Sequence, residues 1–453
     1  MNLKGAVKGL SLYLPKFRIE RGLIAEQHST RARGTRTVRW YDEDEFTMAF
    51  EAALKLVEAA GGSDVGCVVF ASERGPYRLK STAPMIARML PNARDVLAFD
   101  IAGSDRVSAD GIAAGVAFSQ ISGKDALLAG GSSIQGGAGS QEEMSGGDAG
   151  WAMLIGEGGG LVLESAHPVS ADDFIRWDRD GEYVSLPDGF TVPYQQTPSM
   201  LRALRGCSKT RKPKTIVLGS ASEQIAKSLS KRIADDGVNF VSNPVEATGD
   251  LGPANLPFAL SLALKECGKG DPVAIVSPGD GALCFSGVVE DPPSVKVIGA
   301  NAGEFETLKA YGTYRKIVEY SFDEADASPI AYWRDAGKIL SLTGGKCAEC
   351  GAIFYPPSEV CPSCGARGNH EETSLARKGS IFTYTTDHIT PSPTGKVTHT
   401  VVDLDGGGRI YTHMTDFLGE TVEIGSTVEL VIRNVHSGGG IKNYGWKSRI
   451  KSA

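Results

Sequence analysis

The stretch FDIAGSDRVSADGIAAG, Phe99 to Gly115, reads as a buried strand, a small-residue elbow at Gly103-Ser104-Asp105-Arg106, and a helix rich in Ala and Gly. Such an elbow exposes one side chain at the end of a parallel strand, where catalysts of the α/β class place a nucleophile. Outward from it, strands and helices alternate. Asp44 to Ala60 (DEFTMAFEAALKLVEAA) has the period of an amphipathic helix. Asp64 to Ser72 (DVGCVVFAS) is a short apolar run suited to a buried parallel strand. Gly5 to Leu14 reads as a first strand, Thr82 to Leu90 as a helix, and Asp125 to Gly130 and Ala149 to Glu164 as further strands broken by GEGGG. GEGGG lacks the Lys and the helix start of a phosphate loop, so a tight turn is expected there.

After a polar stretch over 166 to 210 the alternation resumes: a strand at Thr215 to Gly219, helices at Glu223 to Ala234 and Asn255 to Glu266, and a strand at Pro272 to Ser277 leading into PGDGALCFSG. Two halves, each ending in a glycine-rich strand pair, imply an internally duplicated layered α/β fold. The expected divisions are 1–165 and 166–317 for the two halves, 318–378 for a linker helix and a metal ribbon, and 379–453 for a small barrel.

At 453 residues the chain is too long for one ordinary domain, and its 41% apolar content supports large cores. The formal net charge of −7 argues against nucleic acid as the main partner. No apolar run approaches the roughly 20 residues that span a bilayer, and the start lacks a signal peptide's apolar core. A cytoplasmic protein with no membrane partner is the expectation.

Four of the eight cysteines are scattered; the others form Cys347-x2-Cys350, ten residues, then Cys361-x2-Cys364. Two such knuckles, CAECG and CPSCG, supply four thiolates for a tetrahedral Zn²⁺ and leave no open position, so the metal is expected to be structural. The glycine after each second cysteine lets backbone amides turn toward sulfur. From Gly379 onward, five β-rich runs separated by turns such as DGGG and SGGG fit an OB-type barrel. His388, His399 and His413 fall in or beside these runs and read as packing or surface residues.

Taken in order, DEFTMAFEAALKLVEAA, VVFASERGPYRLKSTAPMIARML and FDIAGSDRVSADGIAAG resemble the hydroxymethylglutaryl-CoA synthase group of the thiolase superfamily, and GDLGPANLPFALSLALKECGKGDPVAIVSPGDGALCFSG resembles that group's second half. YWRDAGKILSLTGGKCAECG, the second knuckle and GSIFTYTTDH resemble the thiolase-associated family that joins a rubredoxin-like zinc ribbon to an OB-fold. The resemblance implies a thiolase-like αβαβα fold over about residues 1 to 317. It also implies a ribbon/barrel module that bridges acyltransferase subunits and helps form a CoA channel.

Carried over column by column, the implied catalytic set is largely replaced. The nucleophile column falls on Asp105, or on Ser104 one residue away, and no cysteine lies between Cys67 and Cys207. The His column falls at Gly219-Ser220, with no histidine between His167 and His370, and the Asn column falls on Asp250. Only the synthase glutamate matches, at Glu73. It reads either as a general base or as a pairing partner for Arg74, Arg78 or Arg106. Arg106 beside Asp105 suggests an ion pair in the emptied pocket. Arg205, Lys209, Arg211 and Lys212, in RALRGCSKTRKPK, form a basic patch and are the candidate CoA contacts.

The implied function is a non-catalytic synthase-like subunit of an acyl-CoA thiolase or acyltransferase complex. Its catalytic thiolase partner, acyl-CoA and a second thiolase-like surface would be its contacts. The alternative is an acyl-CoA carbon–carbon lyase of retro-aldol type, with Glu73, Asp105 and Asp250 as its carboxylates. A lone acyl-CoA-binding or regulatory protein is a third reading.

Overall fold

The computed structural model describes residues 1–61, 64–90, 95–179, 182–233, 237–299, 305–322, 328–418 and 421–451. Of the polar run SFDEADASPI, read as a linker, residues 323–327 lie outside them. The chain forms two compact units, Met1–Arg39 with Asp44–Tyr314, and Trp40–Glu43 with the chain from Arg315 onward.

The first unit is organised on one mixed sheet. Its first five core strands are β1 (Asn2–Leu14), β2 (Val65–Ala71), β3 (Leu97–Ile101), β4 (Asp125–Ser133) and β5 (Asp148–Gly156). The next five are β6 (Leu161–Ser170), β7 (Thr215–Leu218), β8 (Asn239–Val241), β9 (Pro272–Pro278) and β10 (Gly281–Val289). The spatial order of the first set is 3-2-4-5-1 and that of the second is 8-7-9-10-6, the same order twice. Strands 2, 3 and 4 pair in parallel, as do 7, 8 and 9, while β5 and β10 run antiparallel to their neighbours. β1 and β6 meet antiparallel where the halves join.

The helices repeat as well. α1 (Glu45–Ala59), α2 (Ala83–Met89) and α3 (Val107–Ser122) follow β1, β2 and β3; α4 (Thr197–Thr210), α5 (Glu223–Ile233) and α6 (Asn255–Glu266) follow β6, β7 and β8. The duplication expected from the two glycine-rich strand pairs is thus a repeat of connection and strand order. GEGGG is the turn between β5 and β6, with Gly158, Gly159 and Gly160 all at positive φ. α3 and α6 pack into one apolar core with β1, β5 and β9.

Local signals start α1 where the sequence puts it. The Asp44 carboxylate accepts from the Thr47 amide at 3.0 Å and the Thr47 hydroxyl accepts from the Asp44 amide at 2.9 Å, a reciprocal cap. The helix then lies so close to β4 and β5 that only glycine fits beneath it. A Cβ on Gly131 would fall 2.1 Å from the Glu45 carbonyl oxygen, and one on Gly150 would fall 2.3 Å from Met48 backbone atoms.

In the second unit, α7 (Pro329–Leu340) precedes a three-stranded sheet of β11 (Thr343–Cys347), β12 (Ile353–Phe354) and β13 (His370–Ser374), in the order 12-11-13. Five strands follow: β14 (Lys378–Asp387), β15 (Val397–Leu404), β16 (Arg409–His413), β17 (Thr427–Gly438) and β18 (Ile441–Ile450), in the order 16-15-14-17-18. A bridge between Met414 and Ser448 joins the chain leaving β16 to β18 and closes the barrel. Alternation on β15 buries Thr398, Thr400, Val402 and Leu404. This is the OB-type barrel that the five β-rich runs predict. Among the described residues, no helix is long and apolar enough to cross a membrane.

The close approach of α1 is testable. Gly131→Ala and Gly150→Ala should each destabilise the first unit by about 2 kcal/mol, the cost of overpacking against backbone that cannot move aside. Thermal melts of the two variants against the parent protein measure this, and unchanged melting would show that α1 can shift.

Candidate functional site

Glu73 lies just beyond the end of β2. Asp105 stands on the elbow between β3 and α3, and Asp250 lies in the turn that leads to α6. These positions all lie beyond the carboxyl ends of parallel strands or at the start of the helices that follow, where open α/β sheets collect their functional groups. The sequence names the three carboxylates as candidates, and the fold brings them together around one cation. That cation is Arg176, on a short strand, Arg176–Arg179, paired antiparallel with Glu182–Ser185. Its Nη1 lies 3.3 Å from Asp105 Oδ1 and 3.6 Å from Glu73 Oε1, and its Nη2 donates to Asp250 Oδ2. The Arg176 side chain is 12% exposed and that of Glu73 is 9% exposed.

Arg106 does not play the part that its place beside Asp105 suggests. Its Nε donates to Asp110 Oδ1 at 3.1 Å, one helical turn on, and its Nη1 donates to the Asp280 carbonyl at 3.1 Å. Neighbouring residues at the start of a helix point in different directions, whereas residues four apart share a face. The partner of Glu73 likewise is none of the three arginines named for it. Arg74 pairs with Asp178 and stacks over the Tyr183 ring, 3.7 Å from its centroid. Tyr183 in turn donates to Glu73 Oε2 at 3.1 Å. Arg176, Tyr183 and Asp178 all come from the first part of the polar stretch over 166 to 210, where two four-residue strands are too short to show a period.

Electrostatics divides the carboxylates. Burial, and then the Asp105 charge, push the Glu73 carboxyl well above the usual carboxylate range; a hydrogen bond shared with Asp105 adds to the effect. Asp250 is also buried. The Arg176 charge, an Asn255 amide donor at 2.7 Å and the Gly252 amide at 2.9 Å nevertheless hold it below that range. Burial alone would lower the Arg176 guanidinium, but Asp105, Asp250 and Glu73 together hold it well above its usual value. The cluster therefore sets a buried cation between two carboxyls pushed in opposite directions, Asp250 down and Glu73 up, with a tyrosine beside the second.

Arg176 separates two cavities. One, of about 80 Å³, is lined by Glu73, Ser104, Asp105 and Tyr183; the other, of about 180 Å³, is lined by Gly219, Ser220, Asp250 and Asn255. Asp105, Ile175 and Arg176 border both. Each is smaller than the roughly 300 Å³ at which ligand pockets begin. The loop at Gly279, at φ +135°, closes over the elbow, and a Cβ there would lie 2.7 Å from Ser104 Oγ. Ser104 lines the first cavity, and Gly219 and Ser220 line the second.

The basic patch lies elsewhere on the first unit. Arg205 and Lys209 are on α4 and Arg211 follows it, with Arg211 Nη2 donating to Glu164 Oε1 at 2.9 Å. None of Arg205, Lys209, Arg211 and Lys212 lines either cavity.

The four clustered cysteines of the second unit do converge, with all four Sγ atoms within 4.8 Å of one another. Cys347 to Cys364 and Cys350 to Cys361 are each 3.7 Å apart. A tetrahedral zinc with Zn–S bonds of about 2.3 Å has sulfur–sulfur edges near 3.8 Å, so the donor set fits that ion. The two knuckles are built alike. Gly351 donates to the Cys347 carbonyl and Gly365 to that of Cys361, both at 2.9 Å, with φ of +72° and +76°. Backbone amides, foremost that of Cys364, pull the Cys361 thiol down to about 6. Cys364, although its sulfur accepts from the Ala366 amide, is pushed up to about 12 by sharing a proton with Cys350. A divalent ion would take the place of those shared protons.

Residues 334–371 match the family model of the ChsH2 rubredoxin-like zinc ribbon domain, and residues 372–433 match that of the ChsH2 C-terminal OB-fold domain. A DUF35 domain-containing scaffold protein of Methanothermobacter thermautotrophicus is 34% identical over 128 residues, 26% of this chain and 94% of that protein. A hydroxymethylglutaryl-CoA synthase of Caldivirga maquilingensis is 24% identical over 344 residues, 69% of this chain and 96% of that protein. A crystal structure of a hydroxymethylglutaryl-CoA synthase complexed with CoA shares the fold, with a TM-score of 0.59 at 13% identity over 72% of this chain and 92% of that one. The chain thus joins a thiolase-like, synthase-related fold to a zinc ribbon and an OB barrel.

Two outcomes test the site. Replacing Arg176 with Met leaves buried carboxylates without their cation and should cost about 3 kcal/mol at neutral pH. In the parent protein Arg176 holds the Asp250 carboxyl below its usual range, so the stability this gives is present above a pH of about 4 and is lost as the pH falls through the lowered value. The gap to the parent protein should therefore narrow as the pH is lowered from about 7 to about 3. Denaturant titrations across that range measure it, and a gap that does not depend on pH would deny the ionic role. For the ribbon, elemental analysis should find one zinc per chain, and Cys361→Ser should lose the metal and unfold the ribbon.

Proposed function

Because this chain belongs to the family of DUF35 domain-containing scaffold proteins, we propose that it is a non-catalytic subunit of an acyl-CoA thiolase or acyltransferase complex. The ribbon/barrel module, its zinc structural, docks on the catalytic thiolase and helps hold CoA. The synthase-like unit supplies fold and surface without Claisen chemistry. The observation that carries this reading is Arg176. A guanidinium fills the place between the nucleophile, synthase-glutamate and Asn columns, and its hydrogen bonds are spent on their replacements. The cavities beside it, about 80 and 180 Å³, are smaller than ordinary ligand pockets.

Assembly is favoured by the edge of the first unit's sheet. Among the described residues β3 ends the sheet and pairs with β2 alone, and it carries the sequence LAFDI with Leu97 50% exposed. An apolar edge strand with neither Lys nor Pro is a liability unless another strand covers it. A thiolase-like surface on a second copy or on the active partner would do so. The patch of Arg205, Lys209, Arg211 and Lys212 remains the candidate for steering the phosphates of CoA, with Arg211 already engaged by Glu164.

The second reading, a retro-aldol lyase, rests on a different observation: Glu73, its carboxyl pushed well above the usual range by burial and the Asp105 charge, accepts from Tyr183 at the wall of a cavity. In it Asp105 or Asp250 would take the proton of a β-hydroxyl as the carbon–carbon bond breaks. Glu73 would then protonate the enolate of the released acyl-CoA.

Native mass spectrometry of the protein isolated gently from its own host tests the first reading. A complex with a cysteine-bearing acyltransferase is expected, and Asp105→Asn should leave the turnover of that complex largely unchanged. A homo-oligomer without a second chain would overturn it. Turnover by the isolated chain that vanishes in Glu73→Gln would establish the lyase instead.

A further inference from the structure

One strand of the barrel outruns its neighbour. β14 pairs with β15 from Gly379 to Asp387, but with β17 only from Lys378 to Ser380. One residue further on, the Ile381 amide donates to the Ser426 carbonyl at 3.0 Å and the Ile381 carbonyl accepts from the Gly425 amide at 2.7 Å. From Phe382 to Asp387, no strand among the described residues lies against this second edge.

The main chain there faces outward. The Thr398 carbonyl accepts from the Met414 amide at 2.8 Å, so Thr398 turns its main chain toward β16 and away from β14. Thr386 is its direct opposite, and Tyr384 is opposite Thr400, two residues along the same ladder. Both therefore direct their amides and carbonyls to the free edge.

Sheets ordinarily blunt such an edge with Lys, Pro or other charge. Residues 382–386 read FTYTT, without charge or proline, and Asp387 closes the run. Phe382 and Tyr384 are exposed, and an exposed isoleucine stands at each end of the edge. Ile424, 69% exposed, precedes the Gly425 that bonds Ile381, and Ile389, 93% exposed, lies two residues past the strand.

The two ends complement each other. At the first, the Arg409 guanidinium lies over the Phe382 ring, 3.6 Å from its centroid. At the second stands Asp387, opposite Val397, while Arg409 is opposite Asp403. Val397 and Asp403 are an even number of residues apart on β15, so Asp387 and Arg409 share the outer face. A two-fold axis through the middle of the strand brings the first end of one copy to the second end of another. Ile424 then meets Ile389, Arg409 with Phe382 meets Asp387, and Thr383 falls opposite Thr385, a favourable cross-strand pair.

From this match we infer that the free edge of β14 is an interface between two copies of this chain. They join antiparallel about a two-fold axis at Tyr384, so that β16, β15 and β14 of each copy form one continuous sheet. The contact is isologous and closes on itself. It uses a different strand from β3 and needs no acyltransferase.

Sedimentation equilibrium of the purified, zinc-loaded chain tests the inference. Thr383→Lys/Thr385→Lys sets like charges directly opposite each other across the axis, on two side chains that are exposed in the single chain. Self-association should weaken on the order of 10-fold, with zinc content and melting temperature unchanged. Thr383→Glu/Thr385→Glu should weaken it similarly, and an equimolar mixture of the two variants should recover the parent's association. A parent chain that does not self-associate, a Lys variant that associates as the parent does, or a mixture that fails to recover overturns the proposal. A Lys variant that keeps its self-association but loses an acyltransferase in native mass spectrometry assigns the edge to that partner and overturns it as well. If a charged variant loses its zinc, Tyr384→Pro takes its place. It removes one outward-facing amide and should weaken self-association, and unchanged association would again overturn the proposal.

Discussion

A guanidinium taken out of water must be met by carboxylates at close range, and this protein depends on that rule twice. At Arg176 three acids from three separate connections of the duplicated sheet converge on one cation. The cation in turn holds Asp250 below the usual carboxylate range, while burial and the Asp105 charge push Glu73 above it against the pull of Arg176. The interaction is mutual, so none of the four groups has a meaning alone. Asp105 on the elbow looks like a displaced nucleophile when read along the chain. In space it is one wall of an ion cage.

The cage also shows how the thiolase-like fold can hold charge in its interior. Polar backbone and helix starts that face a void are costly unless something fills it. Arg176 reaches in from a short antiparallel ribbon and fills the space between two small cavities. Tyr183, from the same ribbon, ties Glu73 to Arg74 through a hydrogen bond and a stacked cation. At Arg433 the same electrostatic requirement binds Asp42, close to Asp44 in sequence, into a body formed otherwise by residues beyond 314.

Legibility followed the range of the interaction. The zinc ribbon could be read outright, because two C-x2-C knuckles are local and each builds its own turn with a glycine at positive φ. The strands and helices of the first unit were visible by period, and the elbow at Asp105 by its small residues. Glu73, Asp105 and Asp250 were found as columns of a resemblance. Their cation was not found, because Arg176 lies about 70 residues from Asp105 and Asp250 in a strand too short to show a period. Adjacency misled at Arg106, whose side chain turns one helical step onward to Asp110.

The sequence by itself determined the parts: a duplicated α/β unit, a four-thiolate ribbon and a five-stranded barrel, with Glu73, Asp105 and Asp250 named as candidates for one site. Each of these rests on local composition, on short-range turn chemistry or on the period of buried residues, all of which are written along the chain. Only the tertiary structure decided which charges meet. Pairing of buried ions is fixed by distances of 3 to 4 Å between groups that may be hundreds of residues apart, and no local pattern encodes it. That is why the acids of the site could be named in advance, while Arg176 and the pairing of Arg433 with Asp42 emerged from the fold.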